Sequence, residues 1–448
     1  MAKTESDVSL EFLQAFSDNM TNPINMDKLG IGYKTFKEGA IIEGNNLVVY
    51  NPNKPYGMLW NDIDDTYFRL GHNIPTVQQK IKRCVTLGNP QFGGSVYKYL
   101  NPDNSNLFED GADASAYVSD ATGAYNVMVE IPKCYILRYK ENELNFRWMS
   151  IENFDGASTD KAFRMSGWTD TGDGTDVDHE ADFTYISAFE GVLYDSSVAS
   201  CIDGIATTPT LDLLADKLVS TAGYKPNSTV SIAEGRTMIA NGGGKQFDWH
   251  RYSLMRMCFE VEYLTQDSQT AIPGYTEFTS GASYDAGVVR TGITLSLGNH
   301  SGSVTGLASD NGGTDTTSRV ISNSYRGIEN FYGHLWQWTD GINISDYIPW
   351  ICGIDDIFTS DKFEAPYVST NHIQPNVNGY QSKVTADFLV EAVGATATTK
   401  VTDYYYQASG DRVLRSGGGL ASSSAAGVSS LHAYDSSSVV YWIICSRL

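Results

Sequence analysis

The sequence predicts an α+β fold with long irregular loops and a small mixed N-terminal segment. Only two segments have clear helical periodicity, and short strand-like runs interrupted by turn residues occupy much of the rest. The chain after the second helix is rich in Gly and Ser and nearly without periodicity. We divide the chain into a small segment, residues 1–75, and one large domain, residues 76–448.

The first predicted helix begins after Ser231, which forms a capping-box pair with Glu234, and it ends at Gly242. The second spans residues 250–267 and has an apolar stripe along one side. We expect this stripe to pack against the core, and not to bind a cofactor. Its members are Leu254, Met257, Cys258, Val261 and Leu264.

Other elements are shorter. An amphipathic helix is predicted at residues 6–20, a strand at residues 128–139, and a strand that follows an acidic loop at residues 183–194. The spacing of the acidic residues is not that of an EF-hand, so we interpret the segment as a solvated loop, with calcium as the alternative. These residues are Asp170, Asp173, Asp176 and Asp178.

The net charge of −22 argues against a nucleic-acid partner, because phosphate backbones attract basic surfaces. The first residues lack the order of a signal peptide, and no run reaches the roughly 20 apolar residues that span a bilayer. We therefore expect synthesis in a cytosol and no membrane insertion. Six widely spaced cysteines predict buried free thiols: Cys84, Cys134, Cys201, Cys258, Cys352 and Cys445.

Residues 325–344, YRGIENFYGHLWQWTDGINI, resemble the N-x-x-G-N-V-W-E-W signature of the formylglycine-generating, or sulfatase-modifying-factor, branch of the C-type-lectin fold. Three further pieces stand in matching order: the strand at 128–139, the helix at 255–267, and the run 412–423 with the closing WIICSRL. The resemblance covers roughly residues 120–448. It implies an irregular, loop-rich C-type-lectin-like fold.

Residues 56–71 and 78–87, followed by the strand at 128–139, are similar to the N-terminal portion of tail-fibre-like proteins from phages of gut Bacteroidales. This second resemblance implies a virion protein. It extends the matched region almost to residue 55.

Four residues of the signature suit structural work. We expect Gly333 to permit a tight turn and the following strand to bury one indole of Trp336 and Trp338 while the other faces the opposite side. Asn330 completes the motif. Gly417, Gly418 and Gly419 suit a bulge or a close backbone crossing, since no strand-to-helix context for a phosphate loop follows.

The chain departs from the enzymes of this branch. Their oxidase uses a pair of reactive cysteines near the C-terminus, whereas only Cys445 lies there and the next is Cys352. The histidines have no ligand-like spacing. His334 and Gln337 replace an Asn and a Glu that could support structural calcium, so we predict no enzyme and no cofactor. Metal ligands remain unassigned, with a structural calcium involving Asn330 as the open alternative.

The resemblances imply a bacteriophage structural protein that acts as a fibre-type adhesin. It is expected to be made in the cytoplasm of the bacterial host and to be located in the virion. Residues 1–75 are then expected to bind other virion proteins and sister chains, giving a homo-oligomer such as a trimer. The large domain is expected to bind a glycan or protein on the host surface. Two alternatives are a cytosolic enzyme of the formylglycine-generating type and a purely structural head decoration.

We place ligand binding in residues 417–441, where small Ser and Ala residues surround larger polar and aromatic ones. In similar phage proteins diversified by retroelements, this terminal region varies. The alternative is that the run only completes the last strands of the fold. The candidate ligand-binding residues are Leu431, His432, Tyr434, Asp435 and Tyr441.

Overall fold

Strands dominate the architecture. The computed structural model describes residues 54–73, 75–164, 180–204, 210–278, 283–353 and 357–448, and these are 38% strand and 15% helix. The predicted α+β class is therefore wrong, and the chain is β-rich. The prediction failed because many strands are short and buried on both faces, so they lack the alternation by which half-buried strands are recognised.

The first two sheets in the described residues have five strands each. The first contains β1 (Tyr56–Asn61), β2 (Thr66–Gly71), β7 (Tyr135–Glu141), β8 (Leu144–Ser150) and β9 (Ser158–Thr159), in the order β2-β1-β8-β7-β9. The second contains β3 (Lys82–Leu87), β4 (Ser95–Asn101), β5 (Asn104–Phe108), β6 (Asn126–Pro132) and β10 (Phe183–Ser187), in the order β10-β6-β3-β4-β5.

Two smaller sheets follow along the chain. One contains β11 (Val192–Asp195), β12 (Ser200–Ile202) and β13 (Lys217–Val219), with β11 in the centre. The other contains β14 (Tyr275–Glu277), β15 (Gly302–Leu307), β16 (Arg319–Tyr325) and β17 (Ile328–Glu329), all paired to β16.

The fifth sheet has nine described strands and carries the candidate site. Its order is β20-β19-β18-β24-β25-β23-β21-β22, and β26 pairs with β18. The strands are β18 (Trp336–Ser345), β19 (Ile348–Cys352), β20 (Tyr367–Ser369), β21 (Gly379–Val384), β22 (Val390–Ala395), β23 (Tyr404–Gln407), β24 (Asp411–Ser416), β25 (Leu431–Ala433) and β26 (Ile444–Cys445).

Five α-helices occur in the described ranges: α1 (Ser115–Val118), α2 (Ile232–Asn241), α3 (Trp249–Tyr263), α4 (Ser268–Ala271) and α5 (Tyr284–Gly287). The predicted capping box is confirmed on α2, where Ser231 and Glu234 bond reciprocally and Gly242 forms the C-cap. The helix α3 is capped by Asp248, whose carboxylate accepts from the backbone N–H groups of His250 and Arg251.

The helix α3 is buried on all sides, and not only along its apolar stripe. Every residue from Trp249 to Val261 is buried, and the main core surrounds the helix. Its charged side chains are paired inside the protein. Arg256 donates to Glu260 at 2.8 Å, and Glu260 also lies 3.0 Å from Arg147. Paired charges are the form in which such groups are tolerated in an interior.

Some local predictions are corrected. The single strand predicted at 128–139 is two strands, because β6 ends at Pro132, which has no N–H to donate, and β7 begins at Tyr135. The expectation that one of Trp336 and Trp338 faces away from the other is wrong. Both pack in one cluster, since residues two apart on a strand share a face.

The residues shortly before the predicted boundary at residue 75 belong to the folded body. Strand β1 pairs with β8, and its residues Tyr56, Met58 and Trp60 lie in the main core. The division into residues 1–75 and 76–448 stays a prediction. The helix predicted at residues 6–20 lies outside the described residues, as do the four aspartates of the acidic loop.

Candidate functional site

The site lies on the face of the fifth sheet that points away from the main core, which we call the outer face. There a second core cluster around Trp336 and Trp338 borders partly exposed residues. In β23 and β25, Tyr405 and Leu431 point into the main core, while Tyr406 and His432 take the opposite face. The register pairs Tyr406 with His432 and His432 with Arg415 of β24. The outer face therefore places an arginine beside aromatic rings.

An open depression of about 360 Å³ lies at this point. Four of the five predicted ligand-binding residues line it, whereas Leu431 is only 1% exposed and belongs to the core. Alternation explains the difference, because Leu431 precedes His432 on β25. The lining residues are Arg415, His432, Tyr434, Asp435, Val439, Val440 and Tyr441.

Arg415 is the central charge of the depression. Its side chain is 8% exposed, and Nη2 lies 3.0 Å from Oδ2 of Asp435. Burial lowers the pKa of Arg415 to about 10, although the Asp435 carboxylate favours the charged form. The guanidinium carbon also stands 5.2 Å from the ring centroid of Trp336, a cation–π contact.

His432 is a neutral acceptor. Arg415 Nη2 donates to its Nε2 at 2.8 Å, which leaves the proton of the neutral ring on Nδ1. Burial first, and then the Arg415 charge, lower the pKa of His432 to about 2. Nδ1 is 3.5 Å from Oδ2 of Asp435, but a neutral ring forms no ion pair there.

Asp435 is held by both backbone and charge. Its carbonyl accepts from the N–H of Val413 at 3.0 Å, which anchors the loop after β25 to β24. Burial raises the pKa of the carboxyl, and Arg415 and Arg412 oppose that rise. The side chain is 13% exposed, so it opens to the depression without being a surface group.

Several polar atoms of the depression have no hydrogen-bond partner among the described residues. Buried polar groups usually have one, so these buried atoms are unusual in having none. They are Nε and Nη1 of Arg415, Nδ1 of His432 and Oδ2 of Asp435, whose contact with Arg415 lacks hydrogen-bond geometry.

The rim is aromatic and apolar. Tyr434 is 54% exposed and Tyr441 51%, and Val440 lies between them in the lining at 40%. The ring of Tyr434 packs edge-on to His432 at 5.8 Å, and Tyr441 contacts Trp442. Exposed tyrosines on a buried charged base suit recognition, because they offer contact area with few torsions to freeze.

No protein-family model and no curated protein matches this chain. The assignment of a function therefore depends on the site itself.

The residues of the tryptophan motif are structural. Asn330, Trp336 and Trp338 are at most 4% exposed, and the indole of Trp338 donates to the carbonyl of Val230 at 2.9 Å. At Gly333, where φ is +79°, a Cβ would stand 1.8 Å from the carbonyl oxygen of Gly274. The tight turn predicted at Gly333 is confirmed.

His334 and Gln337, which replace an Asn and a Glu of the similar signature, also make hydrogen bonds in the interior. His334 Nδ1 bonds Oε2 of Glu190 at 2.5 Å, and its Nε2 accepts from the N–H of Val289. Gln337 donates to the carbonyl of Asn330 and accepts from Nε of Arg447. The backbone carbonyl of Asn330 is thus already hydrogen-bonded.

The predicted glycine crossing is confirmed. Gly417 and Gly418 have φ values of +92° and +79°. A Cβ on Gly418 would stand 2.6 Å from Cβ of Ala426, and one on Gly419 would stand 2.6 Å from Ile443. The chain passes too closely there for side chains.

The described cysteines are buried free thiols, as predicted. Burial raises the pKa of the Cys445 thiol, and the Glu190 carboxylate raises it further. Such a thiol is a poor nucleophile. Within the described ranges, no group of three or more His, Cys, Asp and Glu side chains is arranged to hold a metal. No helix there is both long and apolar enough to cross a membrane.

Sequence reasoning missed Arg415 and the tyrosines of β21 and β23. A signal for Arg415 is present, because a charge inside the apolar run VLRS implies a specific partner. The YYY run at 404–406 also signals a strand with aromatic side chains on both faces.

Proposed function

We propose that the chain is a non-enzymatic bacteriophage virion protein of the fibre type, and that the depression around Arg415 binds a ligand on the host-cell surface. The observation that carries this is a nearly buried guanidinium, with two nitrogens that lack a hydrogen-bond partner, in a depression lined by two exposed tyrosines. The similarity of residues 56–87 to phage fibre proteins supplies the biological setting.

The arrangement suits binding for energetic reasons. The strands β24 and β25 and the anchored loop at Asp435 fix the polar groups before a ligand arrives, so little ordering entropy is lost on binding. Hydrogen bonds to a guanidinium withdrawn from water are stronger than those on an open surface. The tyrosines then add apolar contact around this polar centre.

Attachment to other virion proteins and to sister chains is proposed for the N-terminal segment, in a homo-oligomer such as a trimer. Within residues 1–75, β1 and β2 belong to the folded body. The attachment role is therefore best tested on residues 1–53.

The test is binding of the purified, fluorescently labelled full chain to a panel of gut Bacteroidales strains. We expect binding to at least one strain, and its loss in Tyr434→Ala and Tyr441→Ala. Tyr97→Ala is the matched control, because Tyr97 is 44% exposed on a different sheet. Undiminished binding by both rim variants would reject the site. Labelling of the protein in intact particles, with no cell binding by the free chain, would favour a structural decoration.

A further inference from the structure

A row of tyrosines crosses the outer face of the fifth sheet and ends at the depression. We call Tyr380, Tyr404 and Tyr406 the tyrosine strip. The ring centroids of Tyr380 and Tyr404 are 5.0 Å apart, and those of Tyr404 and Tyr406 are 4.6 Å apart. Tyr406 then stands 5.0 Å from His432, so the aromatic surface is continuous with the site.

The sheet register holds this strip in place. Tyr380 pairs with Tyr404 across β21 and β23, and Tyr406 pairs with His432 across β23 and β25. All three tyrosines are partly exposed, while Tyr405 between two of them is 1% exposed in the core. Cross-strand aromatic pairs stabilise a sheet. Here they also form an elongated, partly exposed aromatic surface.

The charges near the strip argue against an ionic ligand. Arg415 and Asp435 offset each other, so the depression has little net charge to offer. The chain as a whole has a net charge of −22, which repels polyanions at long range. An uncharged ligand needs no net charge in the depression and is not repelled by the negative charge of the chain.

The unpartnered atoms have the pattern that hydroxyl groups satisfy. Arg415 and His432 hold N–H donors, and Asp435 holds a carboxylate oxygen, that are buried at the base of the depression without a hydrogen-bond partner among the described residues. A hydroxyl both donates and accepts, so neighbouring hydroxyls on one ring bond the carboxylate and the N–H groups together. The C–H face of the same ring is apolar and packs on an aromatic ring.

We propose that the depression and the tyrosine strip together bind a linear, uncharged polysaccharide of the host surface. One sugar lies at Arg415 and Asp435, and the following sugars lie along Tyr406, Tyr404 and Tyr380. This inference rests on the proposed function, because it names the class of ligand that the same site takes.

The first experiment separates this ligand class from a protein receptor. Cells of a strain that binds the full chain are treated either with periodate, which cleaves vicinal diols, or with a protease. We expect periodate to abolish binding and protease to leave it intact. Loss with protease alone would overturn the polysaccharide ligand and leave the adhesin proposal standing. Absence of binding to every strain, with binding of purified polysaccharide retained, would reject the adhesin proposal alone.

The second experiment tests the strip by ligand length. The probes are size fractions from mild hydrolysis of the neutral surface polysaccharide of that strain, with hyaluronate as an anionic control, measured by calorimetry. We expect the affinity of the full chain to rise with length. Tyr404→Ala and Tyr380→Ala should lose about tenfold for long fractions and nothing for disaccharides, since each removes one stacking contact. Tyr97→Ala should match the parent at every length.

Thermal melts establish that each variant is folded, and having two strip variants keeps the test informative if one fails to fold. An affinity that is the same for disaccharides and long fractions in the parent would overturn the role of the strip. Tighter binding of hyaluronate than of the neutral fractions would overturn the uncharged ligand.

Discussion

The guanidinium of Arg415 lies 3.0 Å from the carboxylate of Asp435, and both side chains are largely withdrawn from solvent, at 8% and 13% exposure. Withdrawal makes the pair sensitive to the loss of one member, because the remaining charge would stay partly buried without compensation. The neighbouring Tyr434 is half exposed, and its removal leaves no buried charge unpaired. Stability and binding should therefore respond differently to changes at adjacent positions.

We predict that Asp435→Ala lowers the free energy of unfolding by about 1–3 kcal/mol, because it leaves the Arg415 charge unpaired. Tyr434→Ala should change it by no more than about 0.5 kcal/mol, as exposed substitutions usually do. Urea denaturation at pH 7 measures both. Equal stability of the two variants would show that pairing with Asp435 does not stabilise the buried charge of Arg415.

A second prediction concerns His432, whose pKa is about 2 in the folded chain and near 6.5 when unfolded. As pH falls, the unfolded state binds the proton at a higher pH than the folded state does. The stability that the neutral ring of His432 contributes is therefore fully present above pH 6.5 and is lost as pH falls toward 2. Each pH unit below 6.5 lowers the free energy of unfolding by about 1.4 kcal/mol. His432→Gln keeps an acceptor for Arg415, and its unfolding free energy should fall less between pH 7 and pH 5 than that of the parent. Parallel pH profiles would show that His432 is protonated in the folded chain.

Asp403 gives a pH dependence of the opposite sign. Burial raises its pKa to about 7, although the Ser429 N–H and the Ser268 hydroxyl donate to it. The folded chain retains the proton that the unfolded chain loses near pH 3.8. Stability from this group is thus full below pH 3.8 and is lost as pH rises to 7.

The Asp403→Asn variant keeps an acceptor oxygen and removes the titration. We expect the difference in unfolding free energy between variant and parent to shift in favour of the variant between pH 4 and pH 8, by up to about 4 kcal/mol. Chemical denaturation at the two pH values measures the shift. A difference that stays constant with pH would mean that Asp403 is ionised in the folded chain at pH 4.

Deletion is predicted to separate assembly from folding. A chain lacking residues 1–53 retains β1, which supplies Tyr56, Met58 and Trp60 to the main core, and should fold and bind cells. If the segment mediates attachment, the truncated chain should be absent from particles assembled with it. Removal of residues 1–70 should instead reduce soluble yield, because it deletes β1. Normal incorporation of the shorter deletion into particles would reject attachment through residues 1–53.

The features that the sequence predicted are those that depend on local interactions. The capping box at Ser231 and Glu234 needs only four consecutive residues, and the turn at Gly333 needs one conformation. The nine-stranded sheet depends on pairings between distant segments, such as Trp338 with Arg415, that no local pattern encodes. Three of its strands have two or three residues, too few for alternation to be recognised.

The same distinction between local and distant interactions applies to the candidate site. Tyr434, Asp435 and Tyr441 follow from a run of small polar residues that display larger ones. Arg415 could not be placed with them, because its ion pair spans 20 positions and depends on how β24 lies beside the loop after β25. Leu431 was included because a sequence window does not show which face of a three-residue strand is buried.

The last prediction tests the turn that starts β18 and so positions Trp336 under Arg415. Gly333 has φ +79°, its N–H donates to the carbonyls of Gly417 and Gly418, and a Cβ would stand 1.8 Å from the Gly274 oxygen. Gly111 is the matched control, because it has φ +82° and nothing within 4 Å of an added Cβ. Both alanine variants incur the left-handed strain of about 1–2 kcal/mol, but only Gly333→Ala adds a clash with backbone that cannot rotate away.

We therefore expect Gly111→Ala to remain soluble with a modestly lower Tm, and Gly333→Ala to lose at least about 3 kcal/mol or to fail to fold. Thermal and urea unfolding of the two purified variants make the comparison. Equal losses would mean that the strand following Gly333 moves to accommodate a methyl group. In that case the support of Arg415 by Trp336 would be less rigid than the packing of β18 implies.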